Sequence, residues 1–277
     1  MNLENSKLNT LNNFKVDYFA EGETIFSYKE PSNGKIYYIL DGNVSVKREG
    51  FSPSYTNKIF KGNFFGEISL INNFPRNETV TVSSGFARII SILASDFTHT
   101  LQLNKGILKK LLDSANNRYN FAIGYYLERK TEILKSESSF ESLQIIRNKN
   151  IEIIERIHTP NNIYFEDRST IYRENDLSKG SFFLIEMGQV ITKRKYSDKG
   201  EYLSILTHEK GDLFGDQSYF GLEHRRERAI CSGRVKVREI NKNAFETLIN
   251  IQTDFYLNFI KSMIWKAYIL ELKIKNL

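Results

Sequence analysis

Cysteine is almost absent from this sequence of 277 residues, in which Cys231 is the single example. One cysteine excludes a disulfide bond within the chain, and four histidines beside it leave too few ligands for an ordinary zinc site. We therefore expect a protein of a reducing compartment, the cytoplasm, that holds no metal.

Long apolar runs are also missing. No segment approaches the ~20 uninterrupted apolar residues of a membrane-spanning helix. Polar side chains interrupt even the most apolar helical stretch, residues 255–272, and they include Asn258, Lys261, Lys266 and Glu271. Residues 1–14 are rich in Asn, Ser and Lys and lack the apolar core of a signal peptide. The sequence predicts neither a membrane span nor secretion.

Catalytic signatures are not found either. The sequence has no P-loop, nucleophile elbow, HExxH motif or paired carboxylate site, so we expect no enzymatic activity. Lys and Arg number 39 against 33 Asp and Glu, and the net charge of +6 is a mild excess that many soluble proteins carry. Charge alone does not predict a nucleic-acid partner.

The most informative feature that is present is an internal repeat. Three pairs of segments match in the same order: 24–26 with 170–172, 41–44 with 187–190, and 61–67 with 210–216. The offset is 146 residues for the first two pairs and 149 for the third, from Gly66 to Gly215, which a short loop insertion explains. Since 40% of the residues are apolar, the chain has enough material for two cores. The repeat predicts two domains of one fold.

Short strands, punctuated by Gly, Asn, Asp and Pro, are predicted in each half. In the first half they cover 35–40, 43–48, 57–60, 80–82 and 87–93. In the second half they cover 181–185, 190–195, 202–206 and 235–240. This spacing favours an antiparallel roll or barrel in each half. Apolar residues at helical intervals then predict one or two helices in 106–147 and a long helix in 244–277.

The most specific motif is Phe-Gly-Glu-Ile-Ser-Leu-Ile at 65–71, followed by Pro-Arg-Asn-Glu-Thr-Val at 75–80. It resembles the phosphate-binding cassette of cyclic-nucleotide-binding domains, which reads F-G-E, two small or apolar residues, L, then P-R-x-A-T. The resemblance covers nearly all of residues 14–112. It implies a tandem member of the superfamily of the catabolite activator protein and the protein kinase A regulatory subunit.

The fold implied by this resemblance is mainly β with flanking α-helices, as two jelly-roll-like β-rolls in tandem joined by a helical linker. The expected divisions are a first domain at 1–112, a linker at 113–150, a second roll at 151–243 and a C-terminal helix at 244–277.

The residue types of the first copy suit a cyclic nucleotide, which carries one phosphate charge and a free ribose 2′-hydroxyl. Arg76 offers a permanent charge and a planar donor fork to the phosphate. Glu67 offers an acceptor to the hydroxyl, and Gly66 allows the backbone to approach the ligand closely. The remaining predicted ligand-binding residues of this copy are Ile68, Ser69, Asn77 and Thr79. Glu78 departs from the family pattern, because its carboxylate opposes a phosphate unless it points away or pairs with a cation.

The second copy, at 214–220 and 224–230, resembles the cassette less closely. Its predicted ligand-binding residues are Gly215, Asp216, Gln217, Ser218, Arg225 and Arg226. Asp216 is one methylene shorter than glutamate. We prefer Arg226 for the phosphate, since it leaves Ala229 and Ile230 where the first copy has Thr79 and Val80. Arg225 is the alternative, because it preserves the loop length and aligns Glu227 with Glu78.

A side chain from a following helix normally covers the base in this family. Candidates are Tyr119, Tyr125 and Tyr126 for the first domain and Tyr256, Phe259, Trp265 and Tyr268 for the second. Aromatic residues at helical spacing are more often core, so none is assigned.

The function predicted from the resemblance is a cytoplasmic receptor that binds cyclic AMP or cyclic GMP and signals to a partner protein through domain rearrangement. One alternative is a ligand-independent interaction scaffold with degenerate cassettes. Another is a sensor of a cyclic dinucleotide, which Arg225, Arg226 and Arg228 would suit. The sequence does not decide the base, the partner or the oligomeric state, although the helix at 255–272 is compatible with a homodimer.

Two outputs known for the family are not expected here. The 34 residues from Ala244 to Leu277 are too few for a helix-turn-helix domain beyond the helix that the roll itself needs, so direct DNA binding is not expected. The dozen or so residues before Phe14 leave no room for the docking helices and inhibitor segment of a kinase regulatory subunit.

Overall fold

The computed structural model describes residues 14–49, 56–71, 74–100, 105–129, 141–155, 162–197, 199–220, 223–251 and 253–275. The chain divides into two compact units. Unit 1 comprises Met1–Asn120 and Met263–Leu277, and unit 2 comprises Phe121–Ser262. The predicted N-terminal segment 1–13 and residues 130–140 of the predicted linker lie outside the described residues.

Unit 1 is built on two antiparallel sheets. Its strands are β1 (Val16–Ala20), β2 (Thr24–Phe26), β3 (Lys35–Asp41), β4 (Asn43–Lys47), β5 (Thr56–Phe60), β6 (Phe64–Phe65), β7 (Thr79–Val82) and β8 (Phe86–Leu93). One sheet has the order β1-β8-β3-β6 and the other β2-β7-β4-β5. Alternating apolar residues of both sheets form the core, among them Phe26, Tyr37, Val44, Phe65 and Val80.

In unit 2 the strands are longer and form a single antiparallel sheet of six strands. They are β9 (Asn162–Phe165), β10 (Thr170–Tyr172), β11 (Phe182–Lys195), β12 (Tyr202–His208), β13 (Leu213–Phe214) and β14 (Arg228–Ile240). The central order is β10-β14-β11-β12, with β13 on β11 and β9 on β14. The strands predicted at 181–185 and 190–195 are thus one strand, and that predicted at 235–240 is the end of β14. Register shifts near Met187 let β11 bend without breaking.

A glycine with positive φ marks the same bend in each unit. Gly42 has φ +82° and Gly188 has φ +87°. A Cβ at either position would lie 2.2 Å from a backbone oxygen, that of Phe86 or of Arg234. Only glycine allows this close approach of two chain segments, so the repeated Gly is structural in both units.

The described residues also include five α-helices. They are α1 (Ala94–Thr100), α2 (Lys105–Arg129), α3 (Glu141–Glu155), α4 (Lys242–Ile251) and α5 (Thr253–Lys275). The single C-terminal helix predicted from the sequence is therefore two helices. The side chain of Asn241 accepts a hydrogen bond from the N–H of Ala244 at 2.8 Å, so Asn241 caps α4.

Two of these helices cross the unit boundary. The boundary falls after Asn120 within α2 and again before Met263 within α5. The predicted fold class, mainly β with flanking helices and two rolls in tandem, is confirmed. None of the helices described is both long enough and apolar enough to pass through a membrane.

Candidate ligand-binding sites

Arg76 lies inside unit 1 with 6% of its surface exposed. One terminal nitrogen, Nη1, donates to the Ser69 hydroxyl at 3.0 Å, and Nη2 donates to the Lys35 carbonyl at 3.1 Å and to the Asn33 side chain. The guanidinium carbon lies 4.3 Å from the ring centroid of Phe26. Burial lowers the pKa of Arg76, although nearby Tyr37 and Glu78 oppose this effect. Arg76 is held rigidly and stays cationic.

The Nε atom of Arg76 is different from the other nitrogens of this side chain. It is buried and makes no hydrogen bond to any residue that the structure describes. Buried donors without an acceptor are uncommon in proteins, although the Nε atoms of Arg88, Arg228 and Arg238 also lack one among the described residues. A phosphate oxygen is one suitable acceptor, since guanidinium groups bind phosphates through two parallel N–H groups.

Gly66 connects Arg76 to the turn that carries Glu67. Gly66 has φ +70° and precedes a short 3-10 helix, Glu67–Leu70. A Cβ on Gly66 would lie 3.1 Å from Arg76 Nη1 and 3.1 Å from the Tyr37 ring. The structure thus brings Gly66, Glu67, Ile68 and Ser69 beside Arg76, all of them buried.

Glu67 is engaged by an arginine that the sequence analysis did not identify. Its Oε1 accepts a hydrogen bond of 2.8 Å from Nη1 of Arg118 on α2. Arg118 also donates from Nε and Nη2 to the two carboxylate oxygens of Glu271 on α5, at 2.8 Å each. Burial opposes the charge of Arg118, but Glu271, Glu78 and Glu67 together raise its pKa well above the usual value.

The carboxylate of Glu78, which would oppose a phosphate if it stood alone, pairs with cations. Glu78 Oε2 lies 3.2 Å from Arg48 Nε and 3.5 Å from Arg118 Nη2. Burial alone would raise the pKa of Glu78, but Arg118 and Arg48 outweigh it and hold the pKa below its ordinary value. We name these five residues the buried ion cluster: Arg48, Glu67, Glu78, Arg118 and Glu271.

The last two predicted residues of the first copy lie at the edge of this group. Asn77 is half-buried and donates from Nδ2 to Glu271 Oε2 at 2.7 Å. Thr79 begins β7, and its Oγ1 accepts a hydrogen bond of 3.0 Å from the Tyr28 backbone N–H. The other six predicted residues of the first copy therefore lie on the Glu67 turn or in the segment that leads from Arg76 into β7, and Asn77 faces the ion cluster.

In unit 2 the two candidate arginines lie in different environments. Arg225 is 6% exposed, and its guanidinium donates to the Gly215 carbonyl at 2.7 Å and the Ser181 hydroxyl at 3.3 Å. Its backbone exchanges hydrogen bonds of 2.8 Å with Asn175 and Asp176, as that of Arg76 does with Lys29 and Glu30.

Arg226, by contrast, is exposed, and its carbonyl accepts a hydrogen bond from Arg194 Nε at 3.2 Å. Arg225 thus holds the position that Arg76 has in unit 1, contrary to the preference for Arg226, and which of the two arginines binds a phosphate stays a prediction. The physical reason for the position of Arg225 is the pair of backbone hydrogen bonds that join it to Asn175 and Asp176. These bonds keep the loop length of the first copy and leave the side chain of Arg226 exposed.

The other predicted residues of the second copy lie on the same turn. Gly215, with φ +71°, precedes a 3-10 helix at Asp216–Phe220. Asp216 is 3% exposed and Gln217 is half-buried. Ser218 belongs to this helix, but its side chain lies outside the described part of the structure. Tyr172 takes the place of Phe26, and its hydroxyl donates to Glu227 at 3.2 Å.

The residues around Arg76 and those around Arg225 each enclose very little space. The cavity between Gly66, Phe74 and Arg76 has a volume of about 10 Å³, and so has the cavity between Gly215, Gln217 and Arg225. That is room for about one water molecule. Ligand pockets typically measure ~300–1,000 Å³, so a nucleotide requires either site to open.

Two aromatic residues that the sequence analysis weighed for the second domain lie in unit 1. Tyr268 stacks on Phe74 with ring centroids 5.1 Å apart, and Trp265 meets Phe74 edge-on at 5.9 Å. Tyr126, a candidate for the first domain, belongs to unit 2, where it is 1% exposed and its hydroxyl donates a hydrogen bond to the Ser204 carbonyl. The sequence signals for the ion cluster were two carboxylates: Glu78, which departs from the family pattern, and Glu271, which lies within an apolar helical stretch.

Comparison with known proteins identifies the same type of domain in both halves of the chain. The family model "Cyclic nucleotide-binding domain" matches residues 16–104 and 162–252. The cAMP-dependent protein kinase regulatory subunit of Mucor circinelloides f. lusitanicus is 23% identical over 249 residues, which cover 89% of this chain and 50% of that protein. A cGMP-dependent protein kinase of Drosophila melanogaster is 26% identical over 242 residues, 86% of this chain and 19% of that protein.

A solved structure, the regulatory domain of Toxoplasma gondii PKA with cAMP, matches with 17% identity and a TM-score of 0.33, over 92% of this chain and 88% of that one. The chain spans about half the length of the fungal regulatory subunits that it matches.

Proposed function

This chain belongs to the cyclic nucleotide-binding domain family, with one such domain in each unit, and from this premise we propose that it is a cyclic-nucleotide receptor without catalytic activity of its own. The ligand is cyclic AMP or cyclic GMP, bound in the first cassette, residues 65–80. The observation that carries this proposal is the buried Arg76, whose Nε lacks an acceptor among the described residues.

In this proposal, each residue of the first cassette has a chemical role. Arg76 binds the phosphate, with Ser69 as a second donor beside it, and the Gly66 backbone approaches the ligand. Oε2 of Glu67 accepts a hydrogen bond from the ribose 2′-hydroxyl, since Oε1 already accepts one from Arg118. Asn77 follows Arg76, which binds the phosphate, and its side-chain amide is the predicted contact to the edge of the base.

The second cassette, residues 214–230, has the same backbone frame around Arg225. Its acidic residue is the shorter Asp216, so its carboxylate reaches less far toward a ribose. We therefore propose that Gly215, Asp216, Gln217, Ser218 and Arg225 form a weaker site. Arg226 is too exposed to replace Arg225, and it serves at most as a rim contact.

Signal transmission follows from chain continuity. Helix α2 carries Arg118 of the ion cluster and continues from unit 1 into unit 2. A ligand that changes the contacts of Glu67 changes those of Arg118, and therefore the position of α2. We propose that this movement rearranges the two domains and exposes a surface to a partner protein, as the names of the regulatory-subunit relatives suggest.

Titration calorimetry on the full chain tests the proposal with cyclic AMP, cyclic GMP and cyclic di-GMP as separate ligands. We expect one equivalent of a cyclic mononucleotide to bind tightly and a second weakly. Tighter binding of the dinucleotide would instead identify a cyclic-dinucleotide sensor. Absence of binding for all three would contradict the receptor and favour the ligand-independent scaffold.

A further inference from the structure

The carboxylate of Glu271 lies deep inside unit 1, although it comes from the last turns of the chain's final helix. Glu271 is 1% exposed, and both of its oxygens are bound by Arg118. Asn77 of the first cassette donates to the same carboxylate, and Arg48 Nε lies 3.6 Å from it. Glu271 therefore binds the same arginine as Glu67, the residue that we propose for the ribose hydroxyl.

The charges around Glu271 balance without any ligand. The buried ion cluster contains two guanidinium groups and three carboxylates, so one carboxylate is in excess. Arg76 is the third cation, and its positive charge helps to hold the pKa of Glu78 down. A phosphate that binds Arg76 adds one negative charge to a balanced and buried set. Such an excess charge is costly in a medium of low dielectric constant.

The helix that carries Glu271 also covers the first cassette. Tyr268 stacks on Phe74, Trp265 meets the same ring at a near right angle, and Phe74 lines the cavity of about 10 Å³ beside Arg76. These three α5 residues follow one another at intervals of three, so they lie along one side of the helix. A nucleotide cannot enter a cavity of this size while the segment stays in place.

We infer that residues 263–275 of α5 are a displaceable lid of the first cassette and that Glu271 is a counter-carboxylate which lowers the affinity of the site for a nucleotide anion. The inference rests on the proposed function. Binding of the nucleotide anion releases Glu271, because the departure of the Glu271 carboxylate restores the balance of charge that the phosphate disturbs. Glu271 is thus a specificity-determining residue, since its carboxylate opposes a cyclic nucleotide but not an uncharged nucleoside.

The test compares cyclic AMP with adenosine, its uncharged counterpart, on the full-length chain and on the variant Glu271→Gln. Glutamine has nearly the same shape as glutamate but carries no charge. We expect the variant to bind cyclic AMP about tenfold more tightly, which is within the 5- to 150-fold range of typical couplings. The affinity for adenosine should stay within about twofold. Glu246→Gln removes a half-exposed carboxylate of α4 outside the cluster and should change neither affinity.

A second measurement covers the case in which Glu271→Gln does not fold. Trp265 is the only tryptophan of the chain and is 1% exposed, so its fluorescence reports the lid directly. In the unaltered chain, cyclic AMP should make Trp265 more accessible to acrylamide and shift its emission to longer wavelength.

The outcomes separate the lid from the receptor. Unchanged or weaker binding of cyclic AMP by Glu271→Gln, or equal tightening of both ligands, overturns the counter-carboxylate while the receptor stands. Unchanged quenching of Trp265 at saturating cyclic AMP overturns the lid. Failure of the unaltered chain and of the variant to bind either cyclic AMP or cyclic GMP overturns the proposed function and this inference with it.

Discussion

The guanidinium of Arg225 lies 4.5 Å from the ring centroid of Tyr172, and the hydroxyl of that tyrosine donates to Glu227. In unit 1 the matching ring is Phe26, which has no hydroxyl, and Glu78 is bound by arginines instead. Burial and the neighbouring Glu227 raise the pKa of Tyr172 well above its usual value, so Tyr172 stays a neutral donor. The two cassettes share a backbone frame but stabilise their glutamates differently.

Substitution of Arg76 by alanine should abolish binding of a cyclic nucleotide to the first cassette. The variant removes the cation that faces the phosphate, and an unpaired buried charge costs about 3–5 kcal/mol. Calorimetry on the full chain measures the loss of the tight equivalent. The control is Arg168→Ala, which removes an arginine whose side chain is 91% exposed. Unaltered tight binding in Arg76→Ala would remove this residue from the site.

The second cassette offers a matched pair of variants. Arg225→Ala should abolish the weak equivalent, because Arg225 is buried and bonded to the Gly215 carbonyl. Arg226→Ala should weaken it by less than about threefold, since an exposed charge is screened by solvent. Calorimetry after saturation of the first site distinguishes the two. The reverse result would restore the interpretation in which Arg226 holds the phosphate.

Much of the fold could be predicted because its signals are local. Strands, turns and Gly residues recur with a fixed order in both halves, and Gly66 and Gly215 both carry the positive φ that precedes the cassette turn. The continuity of a bent strand was harder to predict. The strand pattern breaks near Gly188, but the register shift that keeps β11 continuous depends on its pairing with β14.

The site could be predicted only in part, because its decisive contacts are distant in sequence. Arg118 and Glu271 are 153 residues apart, and no spacing rule links them. The choice between Arg225 and Arg226 likewise depends on backbone hydrogen bonds to Asp176, in a turn far from the motif. Residue types identified the candidates, and tertiary pairing determines their positions.

Alanine at Gly42 should destabilise unit 1 more than alanine at Gly85. Both glycines have positive φ, +82° and +66°, so each substitution places an L residue in the left-handed region at a cost of about 1–2 kcal/mol. At Gly42 the new Cβ would also lie 2.2 Å from the Phe86 carbonyl oxygen, whereas nothing lies within 4 Å at Gly85. Urea unfolding should show the larger loss for Gly42→Ala, and equal losses would refute the steric argument.

Cys231 should react slowly with thiol reagents in the native protein. The side chain is 3% exposed, and burial raises the pKa of its thiol to about 11. Only about 0.1% of a thiol with this pKa is thiolate at about pH 8, and the thiolate is the reactive form. Reaction with Ellman's reagent should be complete within minutes only after unfolding in guanidinium. Rapid reaction of the native protein would mean that β14 opens locally.

The last prediction concerns Glu78 and the dependence of stability on pH. The pKa of Glu78 is lowered in the folded protein, where burial is outweighed by Arg118 and Arg48, and takes its ordinary value of about 4.3 in the unfolded chain. A lowered pKa means that the ionised form favours folding. Its contribution is complete above the unfolded pKa and is lost as the pH falls toward the folded one.

Glu78→Gln should therefore cost about 3 kcal/mol of unfolding free energy near neutral pH, since it leaves the arginines of the cluster without one of their carboxylates. The difference from the unaltered chain should shrink as the pH falls below about 4.3, because the unaltered carboxylate is then losing its charge as well. Urea unfolding of both proteins at several pH values measures this convergence. Glu166→Gln is the control, because its carboxylate is 76% exposed and its replacement should cost under about 1 kcal/mol at neutral pH. A cost for Glu78→Gln that stays constant down to acid pH would show that shape, and not charge, is what the cluster requires at this position.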